Sequence, residues 1–328
     1  MNNRLNTKSM LEAAYLSAMT VFFAVVGFYL PAFMAFAIFL STVPLVILVV
    51  RTNEKIALLA AFISYFLIIM FTGEIIVATT TWMSFSFSGL ALGYGMKRRW
   101  NFQKLLITSS GAYLFSLLLI IVLINHLAGV NQIDILVNEY LSTMDRSMEQ
   151  MNNVMGNVQI PSDKLAVIKD TVTYLVPGFL IISSAVFGFI SLFLSKMVVC
   201  RIGYDYKYLP AFSELKVSRV TTGVFTISFL LFMFSDQTIF SAAIANIALI
   251  LSVILMVCGI SVMDYFVKKA GIPGIVRVII YIIGFSITTV LALIIPVLHP
   301  FYILIVLTLV DSALDLRKLS HKGENHGQ

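Results

Sequence analysis

The sequence predicts an all-α polytopic membrane bundle of about ten transmembrane helices, with both termini cytoplasmic. Apolar residues make up 59% of the 328-residue chain and charged residues only 12%, against about 45–50% and about 25% in soluble domains. The mean hydropathy is +0.97. The apolar residues fall into ten runs, several of them near the ~20 residues that carry a helix across about 30 Å of hydrocarbon. Basic residues gather at alternate gaps between those runs, which fixes orientation.

The runs lie at 10–29, 33–50, 55–72, 75–95, 104–127, 171–199, 220–235, 238–266, 274–297 and 300–314. With the N-terminus in the cytoplasm, all but three of the 22 Lys and Arg residues fall on the inner side. The exceptions, Arg146, Lys164 and Lys169, share the long segment 128–170, which is thereby placed outside. Missing one span would invert every later loop and destroy this bias. The net charge of +6 is thus an orientation signal rather than a nucleic-acid footprint. The first run outlasts a signal-peptide h-region and has no obvious cleavage site, so no cleavable leader is expected. Cys200 and Cys258 are expected to be free thiols.

The first span carries Ala14 and Ala18, with Ala13 and Ser17 beside them, a small-residue spacing that permits close helix approach. Two uses fit it, internal packing or a docking face for another membrane subunit. Pro44 predicts a kink in the second span. Thr72-Gly73-Glu74 turns the chain outside between the third and fourth. The fourth is rich in hydroxyls (Thr79, Thr80, Thr81, Ser84, Ser86, Ser88), holds Trp82 and ends in Gly89-x-x-x-Gly93. Such hydroxyls either close on backbone carbonyls or line a pocket, and Glu74 faces either water or that pocket. Lys97-Arg98-Arg99-Trp100 reads as an inner-face anchor.

Segment 128–170 is the only long polar stretch. Ile133, Val137, Tyr140, Met144, Met148, Met151 and Met155 recur at helical spacing opposite charged residues, predicting an amphipathic helix that Gly156 ends. Pro161 and Ser162 mark the next helix start. The methionine-rich stripe is an adaptable surface. It packs on the protein, rests on the bilayer, or roofs a binding site that would include Glu74, Thr81, Trp82, Met144 and Met148.

Pro177-Gly178 predicts a kink or break in the sixth span. Loop 200–219 mixes Tyr204, Tyr206, Tyr208 and Phe212 with basic residues, as an interfacial segment or a partner-binding loop does. Asp264 stands four residues before Lys268, an ordinary helix pair. Asp311 and Asp315, one turn apart, either hold a cation or proton or pair with nearby bases. No phosphate-binding G-x-x-x-x-G-K-[ST] loop, H-E-x-x-H zinc motif or nucleophile–base pair appears. No catalytic residue, metal ligand or cofactor is therefore assigned.

Three segments carry a resemblance: the opening Lys8–Ala18, the loop Pro210-Ala211-Phe212-Ser213-Glu214-Leu215-Lys216, and the ending from Leu309-Val310-Asp311-Ser312 to Asp315-Leu316-Arg317-Lys318. Through them the full chain resembles the YybS-like family of bacterial membrane proteins, which implies a multi-pass protein of the bacterial plasma membrane. Residues 1–200 also resemble the six-helix, substrate-binding S component of energy-coupling-factor importers, with Ala14 and Ala18 matching its Ala-x-x-x-Ala docking motif. That likeness implies a small-molecule ligand, a transmembrane coupling subunit and separate ATPases, and makes 201–328 an added four-span domain.

Three functions are open on the sequence: a substrate-binding or transport protein with an outward pocket roofed by 128–170, a non-transporting scaffold that docks partners, and an intramembrane enzyme built on Asp264 or Asp311.

Overall fold

A computed structural model describes residues 7–155, 162–204, 206, 210–234, 239–292, 295 and 298–317. Gly156 and Pro161 lie outside these residues. The described chain contains eleven α-helices and two 3-10 turns, and divides after Leu209 into two units.

The first unit contains α1 (Thr7–Tyr29), a 3-10 turn (Pro31–Phe33), α2 (Met34–Arg51), α3 (Glu54–Thr72), α4 (Ile75–Lys97), α5 (Phe102–Ala128), α6 (Gln132–Met155) and α7 (Ser162–Arg201). Turn chemistry sets the ends. Gly73 adopts φ 70° after α3 and donates its N–H to Ile69 O at 2.8 Å, the left-handed cap that glycine takes without strain. Asn101 caps α5 by accepting the Lys104 N–H at 2.9 Å. Asn125 and Asn131 accept the first N–H groups of α6, from Gln132 and Ile133.

The core of this unit is α2. Every residue from Ser41 to Val50 is buried, because α2 is apolar on all faces and packs against α1, α3, α4 and α7. Pro44 lies inside it. Small residues bring the helices close. A Cβ on Gly93 would stand 2.7 Å from Val49 Cβ, and one on Gly27 would stand 2.5 Å from Ala37 Cβ. Gly188 of α7 is similarly pressed against Ser110 of α5. Around this core the outward positions are large and apolar, as at Leu58, Leu59, Phe62, Phe66 and Met70 of α3. Contiguous apolar surface on that scale demands lipid rather than water.

The expected amphipathic helix forms as α6 and packs on α5 and α7, with Val137 buried at 2% exposure. Of the kink or break expected at Pro177-Gly178, the break does not occur. Helix α7 runs unbroken for 40 residues through Pro177, which forfeits one backbone hydrogen bond and sits exposed while Gly178 is buried.

The second unit contains a 3-10 turn (Phe212–Glu214), α8 (Arg219–Phe234), α9 (Ile239–Lys269), α10 (Gly274–Ala292) and α11 (Pro300–Leu314). Helix α9 is its axis, packing on α8, α10, α11 and the 3-10 turn. Gly259 lets the α11 backbone at Leu304 close on α9. Among the described residues seven helices are long and apolar enough to cross a membrane, namely α1 to α5, α7 and α9, and α8, α10 and α11 are shorter apolar helices. Cys200 and Cys258 are free thiols.

Candidate functional site

The residues expected to line an outward pocket divide between two places. Glu74 stands exposed at the N-terminal boundary of α4, without a side-chain capping bond. Thr81 is half-buried on the same helix. Trp82 pins α4 to α3: its indole N–H donates to Ala61 O at 2.8 Å, and its ring packs with Phe62, Tyr65 and Phe87 at centroid distances of 5.8, 5.4 and 5.9 Å. Tyr65 and Thr79 add a 3.0 Å hydroxyl bond between these helices. Met144 is half-buried on α6, which packs on the α5–α7 pair. The Met148 side chain lies outside the described residues.

The α4–α5–α7 interface holds a feature that sequence reading missed, in the half toward the Lys97, Phe102 and Arg201 ends. Ser86, Ser109, Ser110, Ser191 and Ser195 have buried hydroxyls with no hydrogen-bond partner. They stand six to eleven residues from the Lys97, Phe102 and Arg201 ends of their helices, roughly 9–17 Å at 1.5 Å per residue, and so share one layer. Most other serine and threonine hydroxyls in this unit close on the preceding turn, and Ser17 and Ser116 close on carbonyls of a neighbouring helix, at Ala60 and Met83. Ser41 donates to Ala37 O at 2.7 Å, Ser64 to Ala60 O at 2.9 Å and Ser84 to Thr80 O at 2.7 Å. An orphaned buried hydroxyl costs about 1–3 kcal/mol, so five in one layer need an explanation. Their spacings within each helix are ordinary, and only the packing of three helices brings them level.

The small residues of α1 face two ways. Ala13 and Ser17 are buried at 7% and 4% exposure, whereas Ala14 and Ala18 are exposed beside Leu11, Tyr15 and Phe22. Among the described residues of the first unit, Ala14 and Ala18 are therefore left unpacked.

Two clefts open at the other end of the first unit from Glu74. One, of about 300 Å³, lies among Val49, Glu54, Lys55, Leu58, Leu90 and Tyr94. The other, of about 180 Å³, lies among Val50, Lys97, Arg99, Tyr204 and Tyr206.

In the second unit the membrane acids are taken up by cations. Arg317 is buried, and its Nε and Nη2 donate to Asp311 Oδ2 at 3.1 and 2.8 Å. Nη1 donates to Ser213 O and Ser261 Oγ at 3.0 Å each, and Nη2 also to Leu215 O at 2.9 Å. All five donors of the guanidinium are thus used. Lys216 pairs with Asp315 at 2.7 Å. The expected Asp264–Lys268 helix pair gives way to Arg277, at 2.8 Å, and the Tyr281 hydroxyl, at 2.9 Å, both reaching across from α10. Among the described residues Asp311 Oδ1 has no hydrogen-bond partner. Among the described residues no three His, Cys, Asp or Glu side chains stand close enough to hold a metal ion.

Described residues that are helical wherever regular, with seven helices fit to span a membrane, apolar outward faces and a buried ion pair, make this a multi-pass integral membrane protein. The chain belongs to the family described as "Predicted membrane protein (DUF2232)", which it matches over residues 18–298. It is 24% identical over 288 residues to "Uncharacterized protein YybS" of Bacillus subtilis (strain 168), covering 85% of this chain and 91% of that protein. No solved structure matches it. The loop 210–216, inside the matched residues, meets the ending 309–317, which lies beyond them, in the Arg317 and Lys216 bonds.

Proposed function

We propose that the chain is a substrate-binding, transport-related protein of the bacterial plasma membrane, with a polar ligand path through the α4–α5–α7 interface under the α6 roof. The observation that supports it is the layer of five unpartnered serine hydroxyls. Packing alone would close those hydroxyls on carbonyls, whereas water or a polar substrate entering the layer would satisfy them. Helix α6 follows the Ala128 end of α5, about 27 Å along that helix from Ser110, and packs on α5 and α7, so it would close the outer mouth of the path rather than cover the layer itself. In this reading all ten apolar helices span the membrane, both termini are cytoplasmic, and α6 is outside. Glu74, Thr81, Trp82, Met144 and Met148 belong to the outer approach. Any ATP hydrolysis comes from separate subunits.

Cysteine accessibility tests the path. Ser109→Cys and Ser191→Cys, each in a chain lacking Cys200 and Cys258, are expected to react with a small membrane-impermeant thiol reagent. Thiols sealed in a dry apolar contact stay protonated and inert, so no reaction at either position would contradict the path.

The exposed Ala14 and Ala18 favour a second reading, a docking face for another membrane subunit, either the coupling subunit of an importer or the partner of a non-transporting scaffold. Ala14→Leu fills that face without touching the core. The docking reading expects loss of a co-purifying membrane protein at unchanged thermal stability. Retention of the same partners would remove it.

A further inference from the structure

We infer that the cleft among Val50, Lys97, Arg99, Tyr204 and Tyr206 binds a phosphate ester at the membrane boundary. The cations around it are unequal. Arg98 lies over the Tyr94 ring at 5.3 Å and reaches Glu54 at 4.0 Å, and Lys104 lies over the Trp100 ring at 4.0 Å. Lys97 spends one of its three donors on Thr52 O, at 2.5 Å. Among the described residues Arg99 engages none of its five side-chain donors, yet it lines the cleft.

The backbone of Arg99 is the second observation. It sits at φ 54°, in the left-handed region, at the position that ends α4. Its N–H meets Met96 O at 2.9 Å, and the Trp100 N–H meets Gly95 O at 3.0 Å. Glycine fills this capping position without strain. Arginine is strained there, and strain of this kind gathers at binding sites. The helix end has no use for the side chain, whereas the cleft does.

The chemistry of the walls selects the ligand. A planar guanidinium recognises two phosphate oxygens at once, and an ammonium adds a point charge. Tyr204 and Tyr206 add aromatic walls, and Val50 gives an apolar side. About 180 Å³ is the space of roughly six waters, enough for a phosphate and its first substituent. Helices α2, α4 and α7 end here at Arg51, Lys97 and Arg201, where apolar spans give way to charge. Basic pockets between helices at such boundaries hold anionic headgroups. The shared chemistry is a phosphate ester, supplied by an anionic phospholipid or by a soluble organophosphate.

Native mass spectrometry of the full chain in neutral detergent tests this, with phosphatidylglycerol, phosphatidylcholine and glycerol phosphate as probes. Wild type is expected to retain phosphatidylglycerol over phosphatidylcholine by about tenfold, as one strong charge-assisted contact allows. Arg99→Gly is expected to lose that preference while its thermal midpoint holds or rises, because glycine relieves the strain. Retention of glycerol phosphate in place of the lipid, equally lost in Arg99→Gly, would assign the site to a soluble ester. An unchanged preference for both esters in Arg99→Gly would overturn the site.

Discussion

At the scale of single residues, Arg317 shows what a buried charge does in this protein. Its guanidinium holds together Asp311, Ser261 and two carbonyls of the loop 210–216. Removing one partner of a buried pair leaves the other unpaired, which costs about 3–5 kcal/mol. Arg317→Ala is therefore expected to lower unfolding stability by that order, measured by thermal unfolding in detergent, and a loss within experimental error would show the cluster to be incidental. Arg99→Gly has the opposite sign. Relieving a left-handed non-glycine residue is expected to add about 1 kcal/mol. The acids of these clusters are visible in the sequence, and so is the expectation that Asp311 and Asp315 pair with nearby bases. Their partners are less visible, because Arg277 meets Asp264 only through the packing of α10 on α9. The same holds for the serine layer, since a hydroxyl's missing partner is a property of packing and not of spacing.

At the scale of helices, close approach governs the first unit. The Gly89-x-x-x-Gly93 motif is readable in α4, and it seats α4 against α2 at Leu45 and Val49. Gly93→Ala would force Cβ atoms within 2.7 Å, an overpacking that costs about 1–3 kcal/mol. A thermal midpoint equal to wild type would show that α4 can back away from α2. Periodicity reveals α6 almost to the residue, because an amphipathic helix writes its face into the sequence. It does not reveal that α7 survives Pro177, because a membrane helix can lose one backbone bond and stay helical within its packing. Trp82 stands between these cases. Its type and depth fit a pocket, and its one donor belongs to Ala61. Trp82→Phe is expected to cost about 1 kcal/mol through that lost bond.

At the scale of the whole molecule, composition and charge placement make the class legible, and family membership agrees with it. The chemistry is less legible because no catalytic or nucleotide-binding motif is present, and because the polar layer is distributed over three helices. Transport and docking then differ in what the intact protein carries. Native mass spectrometry of the protein, gently extracted from its own host, reads both at once. The account expects a retained small polar molecule that disappears on deletion of 131–155 and in the Ser109→Leu, Ser191→Leu double variant, with membrane insertion preserved. Partner proteins without any small molecule, released by Ala14→Leu and indifferent to the serine layer, would contradict it.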